Sequence, residues 1–243
     1  MDHSMLPKIH SLKFEQMSFQ YEGAQVPLFD HVDFDFPMGK FVWVKAASGS
    51  GRSTLLQLLA GLQMPTSGKY LINDQDVTEM TFEEFLPYRL AMGYGFDFGG
   101  LIHNGTLHEN LMLPLMYHKM LSFNEAKARV DRYMNQMNIS RYENQRPSLV
   151  QGGVRKIVCM LRALILHPQV VLLDDPSVGL GQEMILRYFD IIHSLRNQGL
   201  LQHVFISSFD EKMMSLLDHT EIWLDTGKLF NTAVSDEKKV VSL

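Results

Sequence analysis

Ala46-Ala47-Ser48-Gly49-Ser50-Gly51-Arg52-Ser53-Thr54 is the run of this chain best suited to hold an anion. The apolar stretch Phe41-Val42-Trp43-Val44 precedes it, and a helical pattern, Leu55 to Ala60, follows it. Strand, glycine-rich turn and helix is the context of a phosphate-binding loop. Gly49 and Gly51 let successive N–H groups turn toward one point, and the helix start adds the positive end of its dipole. Ser53 stands where a hydroxyl could ligate Mg²⁺. Arg52 supplies a cation where the pattern ordinarily has lysine, and Ala46 stands at its first glycine. Such a loop needs an acidic strand for metal and water. Val170-Val171-Leu172-Leu173-Asp174-Asp175 has that form, a wholly apolar run that would deliver Asp174 to the metal beside Ser53. Upstream of it, Leu149-Val150-Gln151-Gly152-Gly153-Val154-Arg155-Lys156 opens a helix on paired glycines, followed by Leu161-Arg162-Ala163-Leu164 and His167-Pro168.

The residues around these motifs supply their scaffold. Leu12 to Gln20 alternates apolar and polar as a half-buried strand does, and Leu28 to Phe36 repeats this with Val32, Phe34 and Phe36 on one face. Turns fall at Glu22-Gly23 and over 37–40, and Met64 to Gly68 breaks the chain before a short strand, Lys69 to Asn73. A short helix is expected over 81–88 and a strand over 91–96, ended by Gly99-Gly100. From there the character changes. Leu107 to Lys119 and Phe123 to Met137 have a helical period with few β-branched residues, Ser122-Phe123-Asn124-Glu125 has the form of a capping box, and Val154 to Leu166 reads as a third helix. Residues 101–168 are therefore expected to form a mainly helical subdomain. A helix over 182–196, a strand over 203–206, a helix over 213–217 and a strand over 221–224 follow, with Thr226-Gly227 turning to Lys228–Phe230. The tail, 231–243, carries Asp236-Glu237-Lys238-Lys239 and reads as solvated. Trp43 and Trp223 lie on strands and are expected in the core, and Arg155 and Lys156 read as solvated helix charges.

Composition bounds the class. A chain of 243 residues, 46% hydrophobic and 20% charged, can bury a substantial core. A net charge of −5 argues against a general nucleic-acid surface. Cys159 is the single cysteine, so no internal disulfide is possible, a reducing compartment fits, and the residue reads as a small buried hydrophobe. The ten histidines show no metal spacing, and the 16 methionines read mostly as core filler. No apolar run reaches the roughly 18–20 residues of a membrane span, and the first ten residues lack the basic start and apolar core of a signal peptide. A cytoplasmic protein is expected, with attachment to a membrane partner left open.

Taken together, the motifs resemble the nucleotide-binding domain of ABC proteins from about Leu12 to Phe230. The resemblance implies an α/β fold: a P-loop NTPase core of ABC type with an antiparallel β-subdomain and an inserted α-helical subdomain, forming one domain over residues 1–230. It implies ATP and Mg²⁺ as ligands. Tyr21 falls at the aromatic position that stacks on adenine; Ser48, Gly49, Ser50, Gly51, Arg52, Ser53 and Thr54 fall on the P-loop; Gln151, Gly152 and Gly153 fall on the signature segment. Ser53 and Asp174 fall on the metal positions, Asp175 on the catalytic carboxylate, Phe96-Asp97-Phe98 on the Q-loop, Val178 to Gly181 on the loop after the acidic strand, and Ser208 on the switch histidine. The run Glu109-Asn110 to Leu113-Pro114-Leu115 looks like the ATPase subunits of bacterial lipid, lipoprotein and cell-division transporters. Implied partners are a transmembrane permease subunit, whose coupling helix would dock near Asp97–Leu101, and a second ATPase subunit in a homodimer or heterodimer. That would place the protein on the cytoplasmic face of a membrane.

The departures from the family pattern cluster at its chemistry. Arg52 replaces the P-loop lysine, Asp97 the Q-loop glutamine, Gln151 the signature serine, Asp175 the glutamate that orients water, Gly181 an aspartate and Ser208 the switch histidine. Arg52 keeps the charge but is a longer planar fork, and Asp175 loses a methylene of reach, where a shift of about 1 Å can cost about 100-fold in rate. Negligible hydrolysis with some Mg-ATP binding is therefore expected, in a structural or regulatory subunit. A working transport ATPase and an interaction module without a membrane partner stand as alternatives. Plainer readings exist too: Tyr21 as a strand-end tyrosine, and Arg52 as a surface arginine pairing with Asp174 or Asp175.

Overall fold

The computed structural model describes residues 6–97 and 100–231. Phe98 of the Q-loop and the tail beyond Asn231 lie outside them. The elements run β1 (Leu12–Phe19), β2 (Phe29–Asp35), β3 (Phe41–Ala46), α1 (Arg52–Leu59), β4 (Ser67–Ile72), β5 (Gln75–Asp76), α2 (Phe82–Leu90) and β6 (Met92–Gly95). They continue as α3 (Leu107–Tyr117), α4 (Phe123–Gln136), α5 (Gly152–Leu164), β7 (Val170–Asp174), α6 (Gln182–Asn197), β8 (His203–Ser207), α7 (Glu211–Met214), β9 (His219–Asp225) and β10 (Lys228–Asn231). The chain divides into two compact units, one built on Leu90–Gln202 with the N-terminal residues up to Lys8, and one on Ile9–Arg89 together with the chain from His203.

In the Ile9–Arg89 unit, β1 lies antiparallel between β2 and β4, and β5 pairs antiparallel with β4. The alternation of β1 puts Phe14 inside, where its ring meets Phe36 edge-on at 5.0 Å and Tyr70 at 5.4 Å. The Tyr70 hydroxyl donates to the Leu59 carbonyl at 2.7 Å, so the antiparallel sheet holds the end of α1. Burial pushes the Tyr70 phenol well above its ordinary pKa. A second set of strands carries the phosphate loop. β3 runs parallel to both β8 and β9, and β9 turns back into β10 through Thr226-Gly227. Trp43 is buried on β3, whereas Trp223, expected in the core, is a correction: it is 36% exposed on β9, with Lys45 Nζ lying 5.0 Å from its ring.

In the Leu90–Gln202 unit, β6 and β7 pair in parallel. β7 is buried along its whole length, as its unbroken apolar run required. α3 and α4 each start with a complete capping box, Thr106 with Glu109 and Ser122 with Glu125. α5 approaches β6 so closely that a Cβ on Gly93 would lie 1.9 Å from the Ala163 carbonyl oxygen, which only glycine permits. Three local readings need adjustment. α5 begins at Gly152 rather than Val154. The helix expected over 213–217 is a single turn, Glu211–Met214, started by the Asp210 side chain accepting the Met213 N–H. β5 and two short 3₁₀ turns, Ser140–Tyr142 and Pro147–Leu149, carry too few residues for any periodicity to announce them.

Candidate nucleotide site

β3 and β8 run in parallel with Val44 opposite Ser207, so the loops that leave them emerge at the same edge. That edge, beyond the carboxyl ends of parallel strands, is where α/β sheets take ligands. Ser48 and Gly49 are exposed. Ser50 folds back, its hydroxyl donating to the Ala47 carbonyl at 2.8 Å and its N–H to the same oxygen at 3.2 Å. Gly51 has φ 95°, a left-handed conformation, and a Cβ there would meet Leu28 Cδ2 at 2.8 Å. The turn lets α1 begin at once, with no side chain capping it. α3, α4 and α7 by contrast are capped by Thr106, Ser122 and Asp210. The first turn of α1 thus offers backbone donors and the positive dipole end to an anion rather than to a side chain. Ser53 is exposed and Thr54 buried. Thr54 Oγ1 and the Tyr21 hydroxyl share a hydrogen bond of 2.7 Å, while the Tyr21 ring stays 47% exposed. The tyrosine is therefore anchored to the phosphate-loop helix and keeps a ring face for stacking.

Arg52 is not the surface residue of the plainer reading. It is buried, and its Cζ lies 3.4 Å from the centroid of the Phe209 ring. A stacked guanidinium keeps its N–H groups in the plane of the fork, directed sideways rather than into the ring. Ser208, assigned the switch position from sequence, is 2% exposed, and its hydroxyl accepts the Asp210 N–H at 3.0 Å. Its carbonyl oxygen accepts the Trp43 indole N–H at 2.9 Å. Phe209, one residue on, is the side chain that reaches Arg52. The sequence reading missed it, although a single aromatic just past a buried strand is a readable signal.

The remaining site residues lie in the Leu90–Gln202 unit. The parallel register of β6 and β7 sets Gly95 opposite Leu173, so Asp97 and Asp175, each two residues further on, leave the strands side by side. Lys156 joins them. Its Nζ donates to Asp97 Oδ1 at 2.7 Å, to the Asp97 carbonyl at 3.0 Å and to the Asp175 carbonyl at 3.0 Å. Lys156 is 8% exposed, which corrects the expectation of a solvated charge. Arg155, its neighbour, is exposed and donates to the Val150 carbonyl at 2.8 Å. Asp174 is buried and accepts a long hydrogen bond, 3.4 Å, from the Tyr94 hydroxyl. Gln151 precedes α5 without capping it, and Gly153 packs so near the loop after β7 that a Cβ would lie 3.3 Å from the Gly179 carbonyl oxygen. Cys159 is buried as expected, and burial pushes its thiol pKa up.

Among the described residues no group of three or more His, Cys, Asp or Glu side chains is placed to hold a metal ion. Mg²⁺ is usually held by one or two carboxylates together with substrate phosphates. Ser53, exposed on α1, offers a hydroxyl oxygen in one unit, and Asp174, at the end of β7, a carboxylate in the other, the hard oxygen chemistry Mg²⁺ takes. No helix among the described residues is long and apolar enough to cross a membrane.

A family profile described as ABC transporter matches residues 29–178, more than half of the chain. The chain belongs to the ABC transporter family. The ABC match takes in the phosphate loop, the paired glycines of Gly152-Gly153 and the acidic pair, while Tyr21 and Ser208 lie outside it. Among its relatives, the ABC transporter ATP-binding protein YtrE of Bacillus subtilis is 31% identical over 206 residues, 84% of this chain and 88% of that protein. The lipoprotein-releasing system ATP-binding protein LolD of Idiomarina loihiensis is 31% identical over 206 residues, covering 84% and 90%. The fold is that of the ATP-binding cassette MJ0796, solved as a dimer in a post-hydrolysis state with ADP and Pi. The match has a TM-score of 0.80 at 23% identity and covers 90% of this chain and 98% of that one.

Proposed function

We propose that this chain is the ATP-binding subunit of a membrane transport or envelope complex, that it binds Mg-ATP as a structural or regulatory ligand, and that it hydrolyses ATP negligibly. The observation that carries the reading is the Arg52 side chain. The cation of the phosphate loop is present and buried, but it is a guanidinium stacked on Phe209. Binding draws on parts that are kept: the Tyr21 ring, the Gly51 turn, the uncapped start of α1 and a positive charge beside it. Hydrolysis would draw on parts that are changed. Phosphoryl transfer is catalysed by positioning and charge stabilisation, and here Asp97 is tied to Lys156, Asp175 is one methylene short of the family's glutamate, and Ser208 is turned into the start of α7.

When bound, Mg-ATP would supply the polyphosphate and its metal, with Ser53 and Asp174 as the metal's protein ligands and Gly49 to Thr54 around the phosphates. Gln151, Gly152 and Gly153 would face the nucleotide of a second ATPase subunit, and a permease would dock near Asp97. The names of the relatives, which speak of lipoprotein release and ATP binding, support this placement at the cytoplasmic side of a membrane.

The test is calorimetry of Mg-ATP on the purified protein and on Tyr21→Ala. Loss of a base–aromatic stack should weaken binding by about 1–3 kcal/mol, some 5- to 150-fold. A phosphate-release assay should then give turnover far below the enzyme median of about 10 per second. Turnover near that median, or the absence of any ATP binding, overturns the reading.

A further inference from the structure

In the nucleotide reading Lys156 figures only through its tie to Asp97, yet its ammonium is fully engaged. A lysine ammonium has three donors and no acceptor. Here all three find oxygens within 3.0 Å, two on Asp97 and one on Asp175. Burying a charge is tolerated only where it is paired and hydrogen-bonded, and the side chain is 8% exposed while its partner carboxylate remains 41% exposed. The placement follows from the fold. Lys156 lies two helical turns before Ala163, on the stripe of α5 that Gly93 brings against β6. β6 and β7, in parallel register, present Asp97 and Asp175 together at their ends.

We propose that Lys156 is a positioning residue, an internal cation that pins Asp97 to the backbone of Asp175 whether or not nucleotide is present. Two of the three bonds are to main-chain carbonyls, so the lysine fixes the path of the chain at both strand ends and not merely one carboxylate. The donors of the lysine are all used by these oxygens, while the Asp97 carboxylate remains open to further contacts on its exposed side. Insofar as it concerns nucleotide, the inference rests on the reading proposed above; the clamp itself does not.

The test is amide hydrogen exchange by mass spectrometry on the full chain, over segments 91–97 and 170–175. Without nucleotide, Lys156→Met should speed exchange in both segments by about tenfold or more and leave β1 and α4 unchanged. Lys156→Arg, which restores a cation, should recover part of the protection. Asp97→Asn, which keeps the shape and should keep the fold, should speed the same segments severalfold, and the double variant should be no faster than Lys156→Met alone. Adding Mg-ATP, which stabilises the whole fold, should slow these segments by a clearly larger factor in Lys156→Met than in the parent, where the clamp is already made. Exchange in Asp97→Asn within twofold of the parent, or additive effects in the double variant, overturns the clamp even if Lys156→Met fails to fold. Mg-ATP slowing these segments as strongly in the parent as in Lys156→Met overturns its nucleotide independence. If the parent binds no ATP by calorimetry, the nucleotide reading fails, and the clamp is decided by the nucleotide-free arms.

Discussion

At the scale of residues, the chemistry of this chain lies in pairs that only the folded register brings together. Arg52 was legible as a cation at the start of a phosphate-loop helix, because motif and spacing suffice for that. Its partner was not, because Phe209 lies 157 positions away and meets it only through the parallel pairing of β3 with β8. The same holds for Lys156. A lone lysine within a mostly apolar helix looks like a solvated charge until the register of β6 and β7 places oxygens around it. The stack has a measurable worth. Phe209→Leu, which keeps bulk and removes the π face, should destabilise the protein by about 0.5–2 kcal/mol in urea denaturation and should weaken ATP binding severalfold. Cys159 gives a second measurement. Because burial raises its thiol pKa, the thiolate is scarce at pH 8 as well as shielded. A thiol reagent should label the native protein at least 100-fold more slowly than the denatured chain, and fast native labelling would mean that α5 opens locally.

Elements were the most legible level, since each β-strand longer than three residues and each helix longer than one turn announced itself by period, capping or punctuation. The capping boxes are the clearest instance. Ser122-Phe123-Asn124-Glu125 reads directly as a helix start, and the structure closes both of its hydrogen bonds. Removing the cap by Ser122→Ala or Thr106→Ala should cost about 1 kcal/mol each, read as a lower urea midpoint with the slope unchanged. α3 and α4 are also joined through Asp131, which accepts from Lys127 at 2.6 Å and contacts His108 Nε2 at 3.1 Å. The hydrogen bond from Lys127 is the largest cause holding the Asp131 carboxyl below its ordinary value of 3.8, with His108 adding to it and partial burial opposing. A depressed carboxylate stabilises the fold above its unfolded pKa, and that stability is lost as pH falls through the lower folded value. Asp131→Asn should therefore lower the melting temperature near pH 7 and make no difference well below the ordinary carboxylate value. A difference that persisted in strong acid would argue for shape rather than charge. What the pattern could not announce were β5 and the 3₁₀ turns, whose few residues are ordered by their neighbours rather than by any period of their own.

For the molecule as a whole, a ligand that binds only the folded state must raise its stability. At a hundredfold excess over Kd the gain is about 2.7 kcal/mol. For a chain of this size that corresponds to a rise of about 5–10 °C in Tm. Mg-ATP should produce it, and Arg52→Ala should abolish most of it. An unshifted melting curve in the parent protein at millimolar Mg-ATP would leave the fold as a scaffold. The division of the chain has a further consequence, for synthesis rather than for binding. Apart from the N-terminal residues up to Lys8, the first unit is the continuous stretch Leu90–Gln202, whereas the unit that carries the phosphate loop is assembled from the first third of the chain and the stretch after His203. β3 in particular lies between β8 and β9, which are translated some 160 and 180 residues later. On the ribosome, the phosphate loop must wait beside an incomplete sheet while the other unit folds. A nascent chain arrested before His203 should therefore protect Leu90–Gln202 from protease while β3 remains cleavable, and a few dozen further residues should close the site in one step.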